Sequence, residues 1–452
     1  MPKYEPGGSV AENGCSPHQP PRQVNSPIGS RIVRNATDRI LNRVLADIEE
    51  LARFSAGGPG VTRVAYSRED LMGRQWFKAQ CKSAGLSFSV DRAGNSFGWS
   101  PSVPGERPIL IGSHLDTVPE GGRYDGIVGV VVGLEVIREL VAGGSTLPAG
   151  VGVFACEEST RFGLGEVGSR LATGQLSYDQ ASAMLDLEGR PFKELISSAG
   201  LADQEEEVVN DEFISAYIEV HIDQGTLLSS SDAKIGIVDV IAGLARNRLC
   251  WRGQSSHSAG RRRGERKDAL LTAAEYLIAL DALWARLEQG RFLQMTVGHL
   301  DVRPNSPNTV PGSVDALLDV RALEQSHIDE AMKAAVELAS SLARTRGLEF
   351  LARDVGGLTP LAMDSRLSTT LALSARTLGF SAPRVPSFAG HDAMVVGKKF
   401  PAAMVLIANP TGMSHSPDES VDEEGLVQAI ATLYNALREA GGSNKRPRGQ
   451  TN

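Results

Sequence analysis

Cysteine is scarce: Cys15, Cys81, Cys156 and Cys250 are the only 4 in 452 residues, and none are paired at the short spacing of a metal knuckle. That excludes a disulfide-built scaffold and points to a reducing compartment. No apolar run reaches the roughly 18 residues that a bilayer-spanning helix requires, and no apolar stretch precedes a cleavage site near the N-terminus. The expectation is a cytoplasmic protein that neither crosses nor binds a membrane. Positive charge is also short, since 46 Lys and Arg face 54 Asp and Glu for a formal net charge of -8. Apart from Arg261, Arg262, Arg263, Arg266 and Lys267 there is no basic stripe, so nucleic acid is excluded as a partner.

The composition that is present, 41% hydrophobic and 22% charged, is that of a globular protein. A chain of 452 residues exceeds what one hydrophobic core serves, so at least two domains are expected. Residues 1–35 carry Pro2, Pro6, Pro17, Pro20, Pro21 and Pro27 and few large apolar side chains, which reads as a flexible arm. From Asp38 onward, Ile40, Leu41, Val44, Ile48 and Leu51 recur at helical spacing. The run Ile109 to Ile111 reads as a buried strand, Gly126 to Leu140 as a helix, and Val151 to Phe154 as a further strand. Strand alternating with helix at this scale predicts an α/β domain with helices over a central sheet.

A second region is expected near residue 213. Phe213–Val220 and Ile235–Ile241 read as strands, Asp268–Leu283 as a helix, Phe292–Leu300 and Val314–Val320 as strands, and Ile328–Leu342 as a helix. Two strands, a helix, two strands and a helix predict a small α+β unit inserted into the larger domain. The expected division is a catalytic domain in two parts, residues 36–212 and 331–440, interrupted by a lid at 213–330. A polar tail at 441–452 closes the chain.

Polar groups collect where strands end. His114 follows the Ile109 strand, and Asp125 opens a helix after Gly121 and Gly122. Carboxyl ends of parallel strands are where α/β folds place ligands. Glu157 and Glu158 follow the Val153 strand directly, and adjacent carboxylates at a buried strand end call for a cation or a proton. Alternation predicts that one of the pair binds metal while the other faces substrate. His221 and Asp223 end another strand, and His415 lies in a turn after Ile407. There are only 8 histidines. Nitrogen and oxygen donors without thiolate suit zinc, manganese, cobalt or nickel.

The segments Gly112-Ser113-His114-Leu115-Asp116-Thr117-Val118-Pro119, Gly121 to Gly126, Glu157-Glu158-Ser159-Thr160-Arg161-Phe162 and His221-Ile222-Asp223-Gln224-Gly225 resemble the hydantoinase/carbamoylase branch of the M20 amidohydrolases. Gly390-His391-Asp392-Ala393 and Ser414-His415-Ser416-Pro417 continue the likeness, which covers residues 38 to 440. The resemblance implies a metallopeptidase-like catalytic domain with a central mixed sheet, an inserted α+β lid, and a homodimer formed largely through that lid. It implies two divalent metal ions bridged by Asp125, with His114 and His221 completing one site and Glu158 and His415 the other. Glu157 is then the general base.

By the same resemblance, Asn308 and Arg321 hold a substrate carboxylate, Gln224 and His391 meet the ureido end or its oxyanion, and His257 is the lid histidine that reaches a neighbouring active site. A planar guanidinium can grip both oxygens of a carboxylate, which suits Arg321 to that task. The chain departs from the family pattern after His257, where Ser258-Ala259-Gly260-Arg261-Arg262-Arg263-Gly264 replaces Ala-Gly-Thr-Thr-Pro-Met. The implied activity is hydrolysis of the carbamoyl C–N bond of an N-carbamoyl amino acid or an allantoate-like small molecule. The alternatives are an M20 aminoacylase or peptidase, and a non-catalytic binding or scaffold protein.

Overall fold

A computed structural model of the chain describes residues 27–101, 106–201 and 213–443. Its larger sheet has nine strands. From one edge the order is Ser87–Val90, Ser96–Trp99, Ala149–Phe154, Ile109–His114, Ala216–Ile222, Ala402–Ile407 and Ile235–Ile241, with Leu361–Ala362 and Arg384–Ser387 both pairing with the last. Four neighbouring strands, those starting at Ala149, Ile109, Ala216 and Ala402, run parallel. All four therefore end on the same side of the sheet. That is the side to which the sequence delivers Glu157, His114, His221 and His415.

The helix Ile127–Ala142 lies against this parallel block and is apolar on nearly every side because it is covered on nearly every side. The helices Pro27–Ala52 and Glu423–Ser443 pack over it. Of its two acids, Glu135 is fully buried and is tied to Arg43 and Arg138. A buried carboxylate so matched is tolerated where an unpaired one is not.

The second sheet is antiparallel, in the order Glu349–Leu358, Gly243–Arg252, Ser313–Ala322, Leu293–Arg303. The helices Ala269–Leu287 and Gln325–Thr345 cover one face and enclose a separate core around Trp251, Tyr276 and Leu318. Ser313–Ala322 alternates buried and half-buried positions residue by residue, the mark of a strand with one covered face. A short ribbon, Ser256–His257 paired with Thr309–Val310, extends from this unit.

Four expected boundaries differ from the elements observed. The strands read as the start of the inserted unit, Ala216–Ile222 and Ile235–Ile241, belong to the large sheet. Ala216–Ile222 is buried at every position because it lies between two parallel neighbours, so apolar alternation was a poor guide to its place. The small sheet instead draws its strands from Gly243 to Leu358, past the expected limit of 330, and Glu349–Leu358 supplies a fourth strand. At the N-terminus, helix Pro27–Ala52 already occupies the end of the expected 1–35 arm, while residues 1–26 lie outside the described residues. At the C-terminus, Glu423–Ser443 carries helix into the expected tail, whose residues 444–452 lie outside the described residues. Among the described residues no helix is long and apolar enough to cross a membrane.

Candidate metal centre and active site

Asp125 is the geometric centre of the site. Its Oδ1 lies 3.2 Å from His221 Nε2 and 3.5 Å from His114 Nε2, and its Oδ2 lies 3.5 Å from His415 Nε2. Glu158 Oε1 stands 3.4 Å from the same His415 nitrogen. Two ligand trios result, His114–Asp125–His221 and Asp125–Glu158–His415, each with its donor atoms within 4.8 Å of one another. Asp125 belongs to both.

The imidazoles are fixed so that the correct nitrogen faces inward. His114 Nδ1 lies 2.9 Å from the Asp116 carbonyl and His221 Nδ1 lies 3.0 Å from the Ile222 carbonyl. An Nδ1–H held by a carbonyl leaves the Nε2 lone pair for a cation. Gly126 has φ 70° and no side chain, and a Cβ there would run into the His114 ring. The glycine is what lets the Asp125 turn and His114 share this space.

Glu157 and Glu158 both face the cavity, against the expectation that alternation would part them. The cause is local. The strand ends at Phe154, and Cys156 then takes φ 54°, so the pair approaches from a bend rather than an extended segment. Glu157 Oε2 reaches to 3.6 Å from His114 Nε2, while Glu158 turns to His415.

Burial and crowding set the charge balance. Burial pushes Glu157 well above the usual carboxylate range, and Glu158 adds to this against the pull of His114. Burial and the neighbouring Asp125 push Glu158 up to about 8. Burial also opposes ionisation of Asp125, but the His221 and His114 imidazoles outweigh it and hold that carboxyl well below its usual range. Three buried carboxyls facing imidazole nitrogens make a donor set that attracts positive charge. The residues fit a pair of divalent cations by number, by shared bridging carboxylate and by imidazole orientation.

Around the centre is a cavity of about 360 Å³, lined also by Gln224, Glu166, Arg170, Arg246 and Arg321. Gln224 Nε2 donates to Asp125 Oδ2 at 2.6 Å, and its buried Oε1 has no hydrogen-bond partner. Not every expected substrate residue reaches this space. His391 is buried, its Nε2 lies 2.7 Å from Ser387 Oγ and its ring packs on His221, so it is absent from the cavity wall. Burial, reinforced by His221, pushes His391 well below the ordinary imidazole range. His257 and Asn308 are exposed neighbours on the short ribbon, where Ser258 N donates to the Asn308 carbonyl, and they do not line the cavity of their own chain.

Three supporting residues had no assigned role in the sequence reading. Asp116 accepts from the backbone N–H of Glu157 at 3.2 Å with Oδ1 and of Glu158 at 3.1 Å with Oδ2. Glu419 accepts from Tyr124 N and Asp125 N, and burial together with Asp125 pushes it up to about 7. Glu219, fully buried, accepts from Ser113 Oγ and Ala393 N. The available signals were acids two residues after His114, four after His415 and two before His221.

The relatives of the chain define its class, an amidohydrolase. A family model described as "Peptidase family M20/M25/M40" matches residues 110–439. The chain belongs to that family, in its hydantoinase/carbamoylase branch. It is 31% identical over 401 residues to the N-carbamoyl-L-amino-acid amidohydrolase of Paenarthrobacter aurescens, covering 88% of this chain and 97% of the relative. It is 31% identical over 405 residues to the allantoate amidohydrolase of Bacillus subtilis, covering 88% and 97%. Among solved structures, a hydantoinase/carbamoylase family amidase from Burkholderia multivorans superposes with a TM-score of 0.79 at 29% identity, covering 88% of this chain and 97% of that one.

Proposed function

We propose that this enzyme hydrolyses the carbamoyl C–N bond of a small ureido acid, an N-carbamoyl amino acid or an allantoate-like compound, using two divalent metal ions. The observation that carries the reading is Asp125 standing in both ligand trios beside Glu157. His114, Asp125 and His221 would hold one cation, and Asp125, Glu158 and His415 the other. Bound there, zinc, manganese, cobalt or nickel would polarise the carbonyl and make water more acidic.

The chain's own groups carry the proton traffic. Glu157 accepts a proton as water attacks the carbamoyl carbon, and returns it to the nitrogen as the C–N bond breaks. The products are the free amine and carbamic acid, which falls to carbon dioxide and ammonia. The unpartnered Oε1 of Gln224 is an acceptor for a ureido N–H, a group that an ordinary carboxylic amide lacks at that end. Arg321 takes the carboxylate. His257 and Asn308 lie off their own chain's cavity, which favours a homodimer in which a second copy brings them to the site. Cys81, Cys156 and Cys250 are unpaired, in keeping with a cytoplasmic setting.

The test is a screen of metal-loaded protein, following free amine and ammonia separately, against N-carbamoyl-L-amino acids, N-carbamoyl-β-alanine and allantoate, with N-acetyl amino acids alongside. At least one ureido acid is expected to turn over with amine and ammonia in equal amounts. Preference for the N-acetyl compounds identifies an aminoacylase or peptidase instead, and no turnover by metal-loaded protein identifies a binding protein.

A further inference from the structure

Arg246 lines the same cavity as Arg321, on the adjacent strand of the small sheet. One acid holds both. Arg246 Nε donates to Asp319 Oδ2 at 2.8 Å, and Arg321 Nε donates to Asp319 Oδ1 at 2.9 Å. The register explains the grouping, since Asp319 lies directly opposite Arg246 and Arg321 follows two residues later on the same face.

Each guanidinium is thus anchored by its Nε edge, which leaves the terminal nitrogens for other work. One terminal nitrogen of Arg321 makes a long contact of 3.4 Å to the Phe388 carbonyl. Those of Arg246 have no hydrogen bond among the described residues. The trio carries two positive charges and one negative, with side chains 34%, 31% and 20% exposed for Arg246, Arg321 and Asp319. An isolated ion pair would need only one arginine. Glu166 on the same cavity wall is paired with Arg170 at 3.0 Å, so the surplus charge of the trio, on planar donors lining the cavity, is complementary to one further carboxylate.

We propose that Arg246 and Arg321 form a paired clamp for the substrate carboxylate, with Asp319 as the positioning residue that holds the two guanidinium planes together. The clamp restricts substrates to those with a free carboxylate and rejects the corresponding carboxamides. It rests on the ureido-acid reading for the identity of the ligand, and its test separates the two.

The probes are N-carbamoyl-L-alanine and N-acetyl-L-alanine, each with its carboxamide, titrated calorimetrically into metal-loaded Glu157→Gln protein. The clamp predicts that the acid binds at least tenfold more tightly than its amide for one pair or both. Adding Arg246→Gln weakens the acid by roughly 10- to 100-fold, the size of a lost charge-assisted hydrogen-bond pair, and so removes most of the preference. Asp319→Asn also lowers the preference, because both guanidinium groups lose their shared anchor, and Arg246→Lys restores only part of what Arg246→Gln removes. A structural role alone would weaken acid and amide equally. Retained acid preference in Arg246→Gln, or equal binding of acid and amide by the unmodified pair, overturns the clamp. If the N-acetyl acid binds with the predicted preference and the carbamoyl acid does not bind, the clamp stands and the ureido reading fails.

Discussion

Replacing Asp116 by Asn tests how the site is held together. One carboxylate receives two consecutive backbone N–H groups, those of Glu157 and Glu158, one on each oxygen. Asparagine keeps one oxygen and presents an NH2 to the other amide, so one charge-assisted bond is lost and a donor faces a donor. A hydrogen bond to a charged group contributes about 1.5–3 kcal/mol. The contacts here are long, at 3.2 and 3.1 Å, which places the loss at the low end. Burial also pushes the Asp116 carboxyl upward, so a neutral side chain recovers part of the desolvation cost. The net expectation is destabilisation of about 1 kcal/mol, read by urea unfolding of the metal-loaded protein. Metal affinity should fall more visibly, by about 10- to 100-fold, because Glu158 loses its backbone support. Unchanged metal affinity with reduced stability would show that Asp116 holds the fold and not the ligands, and would refute the reasoning.

The remaining predictions concern chemistry and charge. Glu157→Gln should keep its metal content while kcat falls by about 10²- to 10⁴-fold, and metal-replete variant with near-normal turnover removes Glu157 as the base. Arg321→Lys should lower kcat/KM by about tenfold or more, chiefly through KM, because a point charge cannot reproduce a planar grip; an unchanged kcat/KM on the true substrate rejects the assignment. Stability of chelated protein should fall as pH rises from about 5 to 8. Glu158 and Glu419 are raised to about 8 and about 7 in the folded state from the ordinary 4.5, so the native state retains protons that the unfolded chain releases. Their neutral forms favour the fold at low pH, and that advantage is lost as pH climbs through the raised values. Added metal should flatten the slope, and a chelated protein whose melting temperature rises over this range contradicts the charge balance described.

Much of the site was legible because its donors sit at strand ends, where sequence position and spatial position coincide. His114 and Glu157 follow apolar runs that can only be buried strands, and the parallel arrangement brings their ends together. The boundary of the inserted unit was less legible. Gly243–Arg252 carries three arginines and an asparagine and shows little apolar pattern, and which sheet Ala216–Ile222 joins is partner choice, a long-range property that no local pattern encodes. The orientation of Glu158 depended on one left-handed residue, Cys156, whose identity does not advertise that conformation. His391 was read as facing substrate, yet its ring is turned to Ser387, a contact set by a loop and not by periodicity.

Metal titration of chelated protein, with bound metal and turnover followed together, tests the central claim most directly. The account predicts that activity saturates at two equivalents of divalent cation per chain and that Asp125→Asn loses both sites together, since that carboxylate belongs to each trio. Full activity in protein shown by elemental analysis to hold no metal would contradict it.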